Sequence, residues 1–375
     1  MGEATRRARD EEVTESIIVK HFDLKFTGDL SDEAGRPNSE LAWDLLDQAP
    51  HIRYGFLEDQ QPTANDPTYQ DRLYSMEIRP HHVASANGIV ICRPWLKASA
   101  FAEGSANLVT VGRAGIGYDK LDLRACTEND VVVFNSPHGL THTTASAAMI
   151  FILALSRRFF LQERIVRDYR WDLQTAALGD DLPGQTLGIV GFGQTGRELA
   201  RLIAPFRMRI IAYSPHADPA QAKELGVTLV GGLDQLLGES DYVSLHGRLD
   251  ARTRGLIGER ELGLMKPTAF FINVARGEMV DENALVRFLR DHRIAGAGLD
   301  VFETEPLPPG SPLLSLDNVI LTPHWLASTR QAGRATIVPV IEGMLAVSRG
   351  ELPPNILNPE VLERDGFRKK LGRMN

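Results

Sequence analysis

The chain has 375 residues, of which 43% are hydrophobic and 24% are charged, and its formal net charge is −8. These values are typical of a folded globular protein, and they exclude a disordered chain, a collagen-like fibre and a disulfide-stapled miniprotein. The acidic balance argues against a general nucleic-acid-binding protein, although a few local charges are enough to bind a small anion. A chain of this length predicts about two domains.

The N-terminus and the cysteines favour an intracellular protein. Residues 1–10 are charged and contain no apolar stretch, so we expect no signal peptide. The longest apolar run, residues 147–155, is shorter than the roughly 20 residues that cross a bilayer. We interpret Cys92 and Cys126 as buried thiols and not as a disulfide or a metal pair. We therefore expect a cytoplasmic protein with no membrane contact and no bound metal.

Short apolar runs alternate with helix-like segments along the chain. Residues 1–16 are interpreted as a polar leader and residues 60–70 as a loop. Helices are predicted over residues 146–160 and 328–348, and a turn over residues 181–184. Continuous apolar strands separated by helices indicate parallel sheets covered on both faces, so the class is α/β. The predicted strands are residues 88–92, 108–111, 131–134, 187–190, 209–213, 242–245, 269–272 and 319–321.

A glycine motif, Gly191-Phe-Gly-Gln-Thr-Gly196, follows one predicted strand and opens a predicted helix. In this context Gly191 permits a tight turn, Gly193 lets a pyrophosphate approach the backbone, and Gly196 lets the helix pack on the strand. The helix N-terminus offers free N–H groups and a partial positive charge. We expect a dinucleotide here, with Gln194 and Thr195 also in contact with it.

The second half of a dinucleotide fingerprint is missing. An acidic residue normally follows the next strand and binds the adenosine ribose. Here that strand ends in Ser214-Pro215-His216, so no carboxylate repels a 2′-phosphate, and no arginine holds one. Ser214 and His216 could bind the phosphate weakly, or His216 could be a solvated loop residue. We expect either NAD or NADP, with NAD favoured.

Several further motifs carry a family resemblance. Residues 272–277 with 280–285, residues 296–306 and residues 321–324, taken with the glycine motif and residues 111–119, resemble the D-isomer-specific 2-hydroxyacid dehydrogenases. The resemblance covers about residues 85–350. It implies two Rossmann-like, doubly wound parallel-sheet domains with a cleft between them. Residues 1–136 plus 328–375 would form the substrate domain and residues 137–327 the dinucleotide-binding domain, in a homodimer that packs through residues 137–180.

The resemblance places the active-site residues at Arg276, Glu305 and His324. Their chemistry is coherent with reduction of a 2-keto acid, which needs a hydride at C2 and a proton at the carbonyl oxygen. A histidine gives and takes a proton near neutral pH, and a neighbouring carboxylate orients its ring. A guanidinium polarises the carbonyl and binds the substrate carboxylate in a fork.

The resemblance also implies weaker assignments. His246, Val274 and Asp300 would lie beside the cofactor, and the main-chain N–H groups of Ile116 and Gly117 would bind the substrate carboxylate. Structural interpretations stay open, because Asp300 could have a role at the end of a strand, His246 could be structural, and a plain turn also needs glycine.

Two positions depart from the family pattern. Trp325 follows the histidine where smaller residues are common, and Arg93-Pro94-Trp95 follows a substrate-domain strand. These side chains could favour a larger or anionic substrate, or they could simply pack. His142 could face the cleft, or it could cap or pack.

The leading hypothesis is therefore an NAD(P)-dependent enzyme that acts on a small 2-keto or D-2-hydroxy acid, such as glyoxylate, hydroxypyruvate or a bulkier acid. The alternative is an NAD(H)-sensing binding protein of the transcriptional-corepressor type with little turnover. A paralogue that binds the cofactor without turnover is a third possibility, against which the intact Arg276, Glu305 and His324 argue.

Overall fold

The computed structural model describes residues 21–31, 43–61, 66 and 68–374. The expected polar leader lies outside these residues. The expected loop at residues 60–70 lies partly outside them, and its last residues begin a short helix. The described helices are α1 (Trp43–Asp47), α2 (Tyr69–Leu73), α3 (Pro80–Ala84), α4 (Leu123–Glu128), α5 (Thr141–Ser156), α6 (Phe159–Arg167), α7 (Gln194–Ile203), α8 (Pro219–Glu224), α9 (Leu233–Glu239), α10 (Glu259–Leu262), α11 (Glu282–Arg290), α12 (Arg330–Ser348) and α13 (Asp365–Gly372).

The first sheet has five parallel strands. They are β1 (Phe22–Phe26), β2 (Ile52–Phe56), β3 (Gly88–Ile91), β4 (Thr110–Arg113) and β5 (Val132–Asn135). Their spatial order is β2-β1-β3-β4-β5, so the order reverses between β1 and β3. Every residue of β3 and β5 is buried, as expected for strands covered on both faces.

The second sheet has seven parallel strands. They are β6 (Thr186–Val190), β7 (Arg209–Tyr213), β8 (Thr228–Leu229), β9 (Tyr242–Leu245), β10 (Phe270–Asn273), β11 (Gly296–Leu299) and β12 (Val319–Leu321). Their spatial order is β12-β11-β10-β9-β6-β7-β8, and it reverses between β6 and β9. In such sheets ligands bind beyond the carboxyl ends of the strands at the point of reversal. The predicted α/β class with two parallel sheets is confirmed.

The long helix α12 packs on the first sheet although it follows the second sheet in the chain. Its buried residues Ile337, Val340, Ile341 and Met344 join the core formed by Phe22, β3 and β5. This packing supports a discontinuous substrate domain. The domain limits at residues 136/137 and 327/328 stay predictions.

The helix expected over residues 146–160 is placed differently. The structure begins α5 at Thr141, so Ser146 lies inside the helix, where its hydroxyl donates to the carbonyl of His142. The helix ends at Ser156 because Arg158 adopts a left-handed backbone conformation (φ 49°), and α6 then starts in a new direction. The predicted start of this helix at residue 146 is therefore wrong.

The cysteines and the helix lengths bear on the expected location of the protein. Cys126 is buried, whereas Cys92 is only partly buried, and both are free thiols. No single helix within the described ranges is long and apolar enough to cross a membrane, although the bent pair α5 and α6 passes that test together on length and composition alone.

Candidate active site

A cleft of about 520 Å³ lies at the carboxyl ends of both sheets. Loops that follow β3 and β4 of the first sheet and β9 to β12 of the second sheet line it. The predicted site residues that line the cleft are Ile116, Gly117, Thr195, His246, Val274, Arg276, Asp300, Glu305 and His324. Gly191, Gly193, Gln194, Gly196, Ser214 and His216 lie away from its lining.

His324 and Glu305 form a hydrogen-bonded pair. His324 follows β12 in a left-handed backbone conformation (φ 52°), which few residue types adopt without a supporting environment. Its Nδ1 lies 3.0 Å from Oε1 and 2.8 Å from Oε2 of Glu305. Because an ionised carboxylate only accepts, Nδ1–H donates, and Nε2 is the ring nitrogen that Glu305 leaves unbound.

The surroundings of Glu305 keep it ionised. Burial alone would raise the pKa of its carboxyl. The hydrogen bond and charge of His324, the N–H of Phe302, which donates at 3.2 Å, and the charge of Arg276 all lower this pKa, and together they outweigh burial. The net result is a pKa below the ordinary value for glutamate. Glu305 is therefore an acceptor for the histidine ring throughout the neutral pH range.

Arg276 follows β10 and pairs with Asp119 from the loop after β4. Its Nε and Nη2 lie 3.2 and 3.1 Å from Oδ1 of Asp119, and Nη1 donates to the carbonyl of Ala275 at 2.7 Å. Burial would raise the pKa of Asp119, but the charge and hydrogen bonds of Arg276 lower it below the ordinary value. This contact joins the two sheets across the cleft.

The loop that carries Ile116 and Gly117 is fixed by its carbonyl groups. The carbonyl of Ile116 accepts from the side chain of Asn135, and the carbonyl of Gly117 accepts from Nε of Arg113 at 2.7 Å. The N–H groups of Ile116 and Gly117 donate to no described residue. A Cβ at Gly117 would lie 1.9 Å from Nη2 of Arg276, so the absence of a side chain lets the guanidinium lie against this loop.

Asp300 is buried at the end of β11 and organises the loop that carries His324. Its Oδ1 accepts from the hydroxyl of Thr322 at 2.6 Å and from the N–H groups of Trp325 and Leu326 at 3.1 and 3.2 Å. The structural role that the sequence left open for this residue is therefore present. Asp300 also lines the cleft, as contact with the cofactor would require.

The glycine motif forms the turn between β6 and α7. Gly191 has φ +94°, and a Cβ there would meet the backbone of Gly247 at 2.6 Å. A Cβ at Gly196 would lie 2.5 Å from the carbonyl oxygen of Gly191, so the helix packs tightly on the turn. At Gly193 a Cβ would meet nothing within 4 Å, which leaves open space in front of the N-terminus of α7.

The other predicted cofactor residues surround this turn. The Gln194 side chain accepts from Thr141 at 3.3 Å, which ties the start of α7 to α5. His246 follows β9, and its Nε2 lies 2.8 Å from the hydroxyl of Ser244, whereas its Nδ1 is buried without a partner in the described chain. Burial lowers the pKa of His246 to about 4, so its ring is neutral. Val274 follows β10 and is buried.

Ser214 and His216 follow β7 in an exposed turn, in which the carbonyl of Ser214 accepts from Ala217. The nearest carboxylate in sequence, Asp218, accepts from the N–H of Ala220 and caps α8. No carboxylate therefore stands directly at the end of β7, as the sequence indicated. His142 is also engaged elsewhere, because its Nδ1 lies 2.7 Å from Glu198.

One His–Asp group away from the cleft has donor atoms within 4.8 Å of one another, namely Asp59, His81 and His82. Both ring nitrogens of His82 are already used, since Nδ1 accepts from the N–H of Arg79 and Nε2 contacts the carbonyl of Glu58. The guanidinium of Arg79 also pairs with Asp59. These contacts give the group a local structural role.

The family model for the D-isomer specific 2-hydroxyacid dehydrogenase NAD binding domain matches residues 149–325. A glyoxylate reductase of Korarchaeum cryptofilum is 42% identical over 264 residues, which cover 70% of this chain and 79% of the relative. The chain belongs to the D-isomer-specific 2-hydroxyacid dehydrogenase family. It is accordingly an oxidoreductase with a nicotinamide cofactor.

Two other members of the family show how its chemistry varies. A D-3-phosphoglycerate dehydrogenase of Methanocaldococcus jannaschii is 38% identical over 272 residues, which are 72% of this chain but 51% of that protein. The solved structure of an NADPH-dependent glyoxylate/hydroxypyruvate reductase of Sinorhizobium meliloti, in complex with NADP and malonate, has a TM-score of 0.72. It is 27% identical, and the match covers 91% of this chain and 98% of that one. These names give no support to the corepressor alternative.

For this family member, sequence reasoning did not assign several residues that line the cleft. Asp119 stood at the end of the 111–119 motif, but nothing in the sequence indicated that it pairs with Arg276. Tyr74 and Lys120 also line the cleft, and they come from segments without a motif. Their proximity depends on the tertiary structure, which brings Tyr74, after α2, to the loop after β4 that carries Lys120.

Proposed function

We propose that this enzyme interconverts a 2-keto acid and a D-2-hydroxy acid. The observation that carries the proposal is the His324–Glu305 pair, which lies in the same cleft as Arg276 and as Thr195 of the glycine motif. A proton-transferring group and an anion-binding group thus meet at the point where a nicotinamide ring would reach from the dinucleotide site.

Each residue of the site then has a defined part in the reaction. A bound nicotinamide cofactor supplies or accepts the hydride. Nε2 of His324 donates a proton to the carbonyl oxygen during reduction and takes it back during oxidation. Glu305 holds the ring through Nδ1–H, while Arg276 polarises the carbonyl and binds the carboxylate. The N–H groups of Ile116 and Gly117 bind the other carboxylate oxygen.

The residues at the reversal point of the second sheet fit a dinucleotide. The open space at Gly193 and the free N–H groups of α7 would accept the pyrophosphate, since helix N-termini bind phosphate. A bound dinucleotide would also offer a polar partner to Nδ1 of His246, which has none among the described residues. Thr195, Val274 and Asp300 would contact the nicotinamide side, and Ser214 and His216 the adenosine side. Either NAD or NADP suits a turn without a carboxylate, and we favour NAD.

Oxidation of NADH and NADPH, followed by absorbance, tests this proposal with glyoxylate, hydroxypyruvate, pyruvate, phenylpyruvate and 2-ketoisocaproate as substrates. His324→Ala should lower kcat by about a hundredfold or more while NADH still binds, because the ring acts on the proton. His292→Asn is the matched control, since His292 is exposed and distant from the cleft lining. Near-normal turnover by His324→Ala would contradict the assignment.

We also propose that the enzyme forms a homodimer through α5, α6 and the segment that follows. This region exposes large apolar side chains, among them Phe159, Phe160, Trp171 and Leu178. Exposed apolar patches of this kind mark interaction surfaces. Sedimentation of the wild type and of Phe160→Glu should give a dimer and a monomer respectively, and a monomeric wild type would contradict the proposal. The free thiols support a cytoplasmic location, which cell fractionation would test.

A further inference from the structure

The side of the cleft next to His324 is walled by aromatic rings and cations. The guanidinium carbon of Arg93 lies 5.2 Å from the ring centroid of Tyr74 and 4.8 Å from that of Trp325. Nζ of Lys120 lies 5.7 Å from the centroid of Tyr74 and 5.3 Å from that of Trp95. The two cations therefore share the Tyr74 ring. All five residues line the cleft, and we call them the cation–aromatic wall.

The side chains of these two cations form no ion pair with the described residues. Within the described ranges, neither the guanidinium of Arg93 nor Nζ of Lys120 forms an ion pair, although the backbone N–H of Arg93 donates to a carboxylate oxygen of Asp29 at 2.8 Å. The acids nearest the reaction centre are already engaged, because Asp119 pairs with Arg276 and Glu305 pairs with His324. Burial lowers the pKa of Lys120 even though the nearby charges of Glu305 and Asp119 act in the opposite direction, in keeping with a poorly hydrated cation. A partly buried cation that lacks a direct ion pair is costly, so a bound anion would stabilise this arrangement.

The cation–aromatic wall lies next to the reacting histidine. Trp325 directly follows His324, and its N–H is fixed by Asp300. A guanidinium that is held over two rings keeps its planar edge free for hydrogen bonds to oxygen atoms. Arg93 also follows β3, next to the point where the strand order of the first sheet reverses. Arg93 thus follows the strand of the first sheet that corresponds to β9 of the second sheet, after which His246 stands.

The proposed function already assigns the C1 carboxylate to Arg276 and to the loop at Ile116 and Gly117. The cation–aromatic wall is therefore the part of the cleft that can contact the substituent on C2. We propose, on the basis of the proposed function, that the preferred substrate is a 2-keto acid whose C2 substituent carries a second anionic group, a carboxylate or a phosphate ester, bound by Arg93 and Lys120. The reaction is unchanged: C2 accepts the hydride, its oxygen accepts a proton from His324, the nicotinamide is oxidised, and the second anion is not altered.

Matched substrate pairs test this proposal on the full chain with a saturating nicotinamide cofactor. The pairs are 2-ketoglutarate and 2-ketopentanoate, oxaloacetate and 2-ketobutyrate, and phosphohydroxypyruvate and hydroxypyruvate. In at least one pair we expect kcat/KM for the doubly anionic member to be higher by about tenfold or more, the usual effect of a charge-assisted hydrogen bond. The pair with the largest ratio distinguishes carboxylate from phosphate. Equal or lower values for the anionic member of all three pairs would overturn this proposal alone, whereas no turnover of any acid would also overturn the proposed function.

Two variants connect the ratio to the wall. Arg93→Met and Lys120→Met should each lower the ratio of the anionic to the uncharged member by about tenfold. Lys97→Met is the control, because Lys97 also lies over Trp95, at 5.6 Å, but pairs with Glu77 outside the cleft lining. Circular dichroism and NADH binding establish that each variant is folded. If both members of a pair lose activity equally in both variants, the cations bind the shared C1 carboxylate and the proposal is wrong.

Discussion

Gly117 provides the sharpest test of the proposed role of Arg276, because the change lies outside the guanidinium itself. In Gly117→Ala the added methyl carbon would lie 1.9 Å from Nη2 of Arg276 and 3.1 Å from Oδ1 of Asp119. The backbone at Gly117 does not have a positive φ, so the alanine itself is not strained. The substitution therefore acts on the guanidinium and on its partner.

The size of the effect follows from the displacement. Ordinary contact between a carbon and a nitrogen begins near 3.5 Å, so Nη2 must move by about 1.5 Å. A movement of this size breaks the fork to Asp119 at 3.1 and 3.2 Å and moves the group away from the carbonyl of the substrate. Misplacement of a catalytic group by 1 Å costs on the order of 100-fold in rate, and we expect kcat/KM to fall by about that factor.

Steady-state reduction of the best 2-keto acid measures kcat/KM, and NADH fluorescence measures cofactor binding, which should change little. Gly310→Ala is the matched control, because a Cβ there meets nothing within 4 Å. In an Arg276→Met background, Gly117→Ala should cause little further loss, since the group that it displaces is absent. A kcat/KM of Gly117→Ala within threefold of the wild-type value would contradict the proposed displacement of Arg276. So would a double variant in which the two losses of kcat/KM multiply.

Three other changes have defined outcomes. Ser214→Asp should raise the NAD over NADP preference in kcat/KM about tenfold, by repelling a 2′-phosphate; an unchanged preference would assign the selection to another segment. Asp300→Ala removes the acceptor that fixes the His324 loop and should lower kcat about tenfold with little change in KM, as expected for a misplaced catalytic group; an unchanged kcat would mean that other contacts hold the loop. Burial lowers the pKa of Lys370 to about 8. Between pH 8 and about 10.4 the Lys370 amine is protonated in the unfolded chain but largely neutral in the folded one. Its contribution to the unfolding free energy therefore rises with pH over that window. Urea titrations at pH 7.5 and pH 10 should show a smaller rise for Lys370→Gln, and equal rises would contradict the effect.

Strands with continuous large apolar side chains could be predicted from the sequence, whereas strands built for close packing could not. The runs at residues 209–213, 242–245 and 319–321 match β7, β9 and β12 to the residue. The strand β11 (Gly-Ala-Gly-Leu) lacks such residues, and the structure shows why. A Cβ at Gly298 would lie 2.6 Å from the ring of Phe151, so α5 packs directly on this strand. That requirement comes from the tertiary structure and leaves no local signal.

The same distinction applies to the candidate site. Arg276, Glu305 and His324 stand in ordered motifs, and the structure brings all three to one cleft. Asp119, Lys120 and Tyr74 belong to the same cleft, but each acts through a partner that is distant in the chain, such as Arg276 at a separation of 157 residues. A single sequence reports which residue types are present and not which of them meet, so these contacts could not be predicted.

The two sheets contribute different groups to the cleft, which explains why sequence similarity identifies the reaction more readily than the substrate. The family model covers residues 149–325, which include the glycine turn, Arg276, Glu305 and His324. Other groups that we propose for the substrate lie outside that range, on loops of the five-stranded sheet, namely Gly117, Arg93 and Lys120. Because the cleft forms between the sheets, the loops of one can change the acid that is bound while the other keeps the proton and hydride chemistry. We therefore expect Arg93 and Lys120 to select the acid that is bound, whereas Arg276, Glu305 and His324 carry out its reduction.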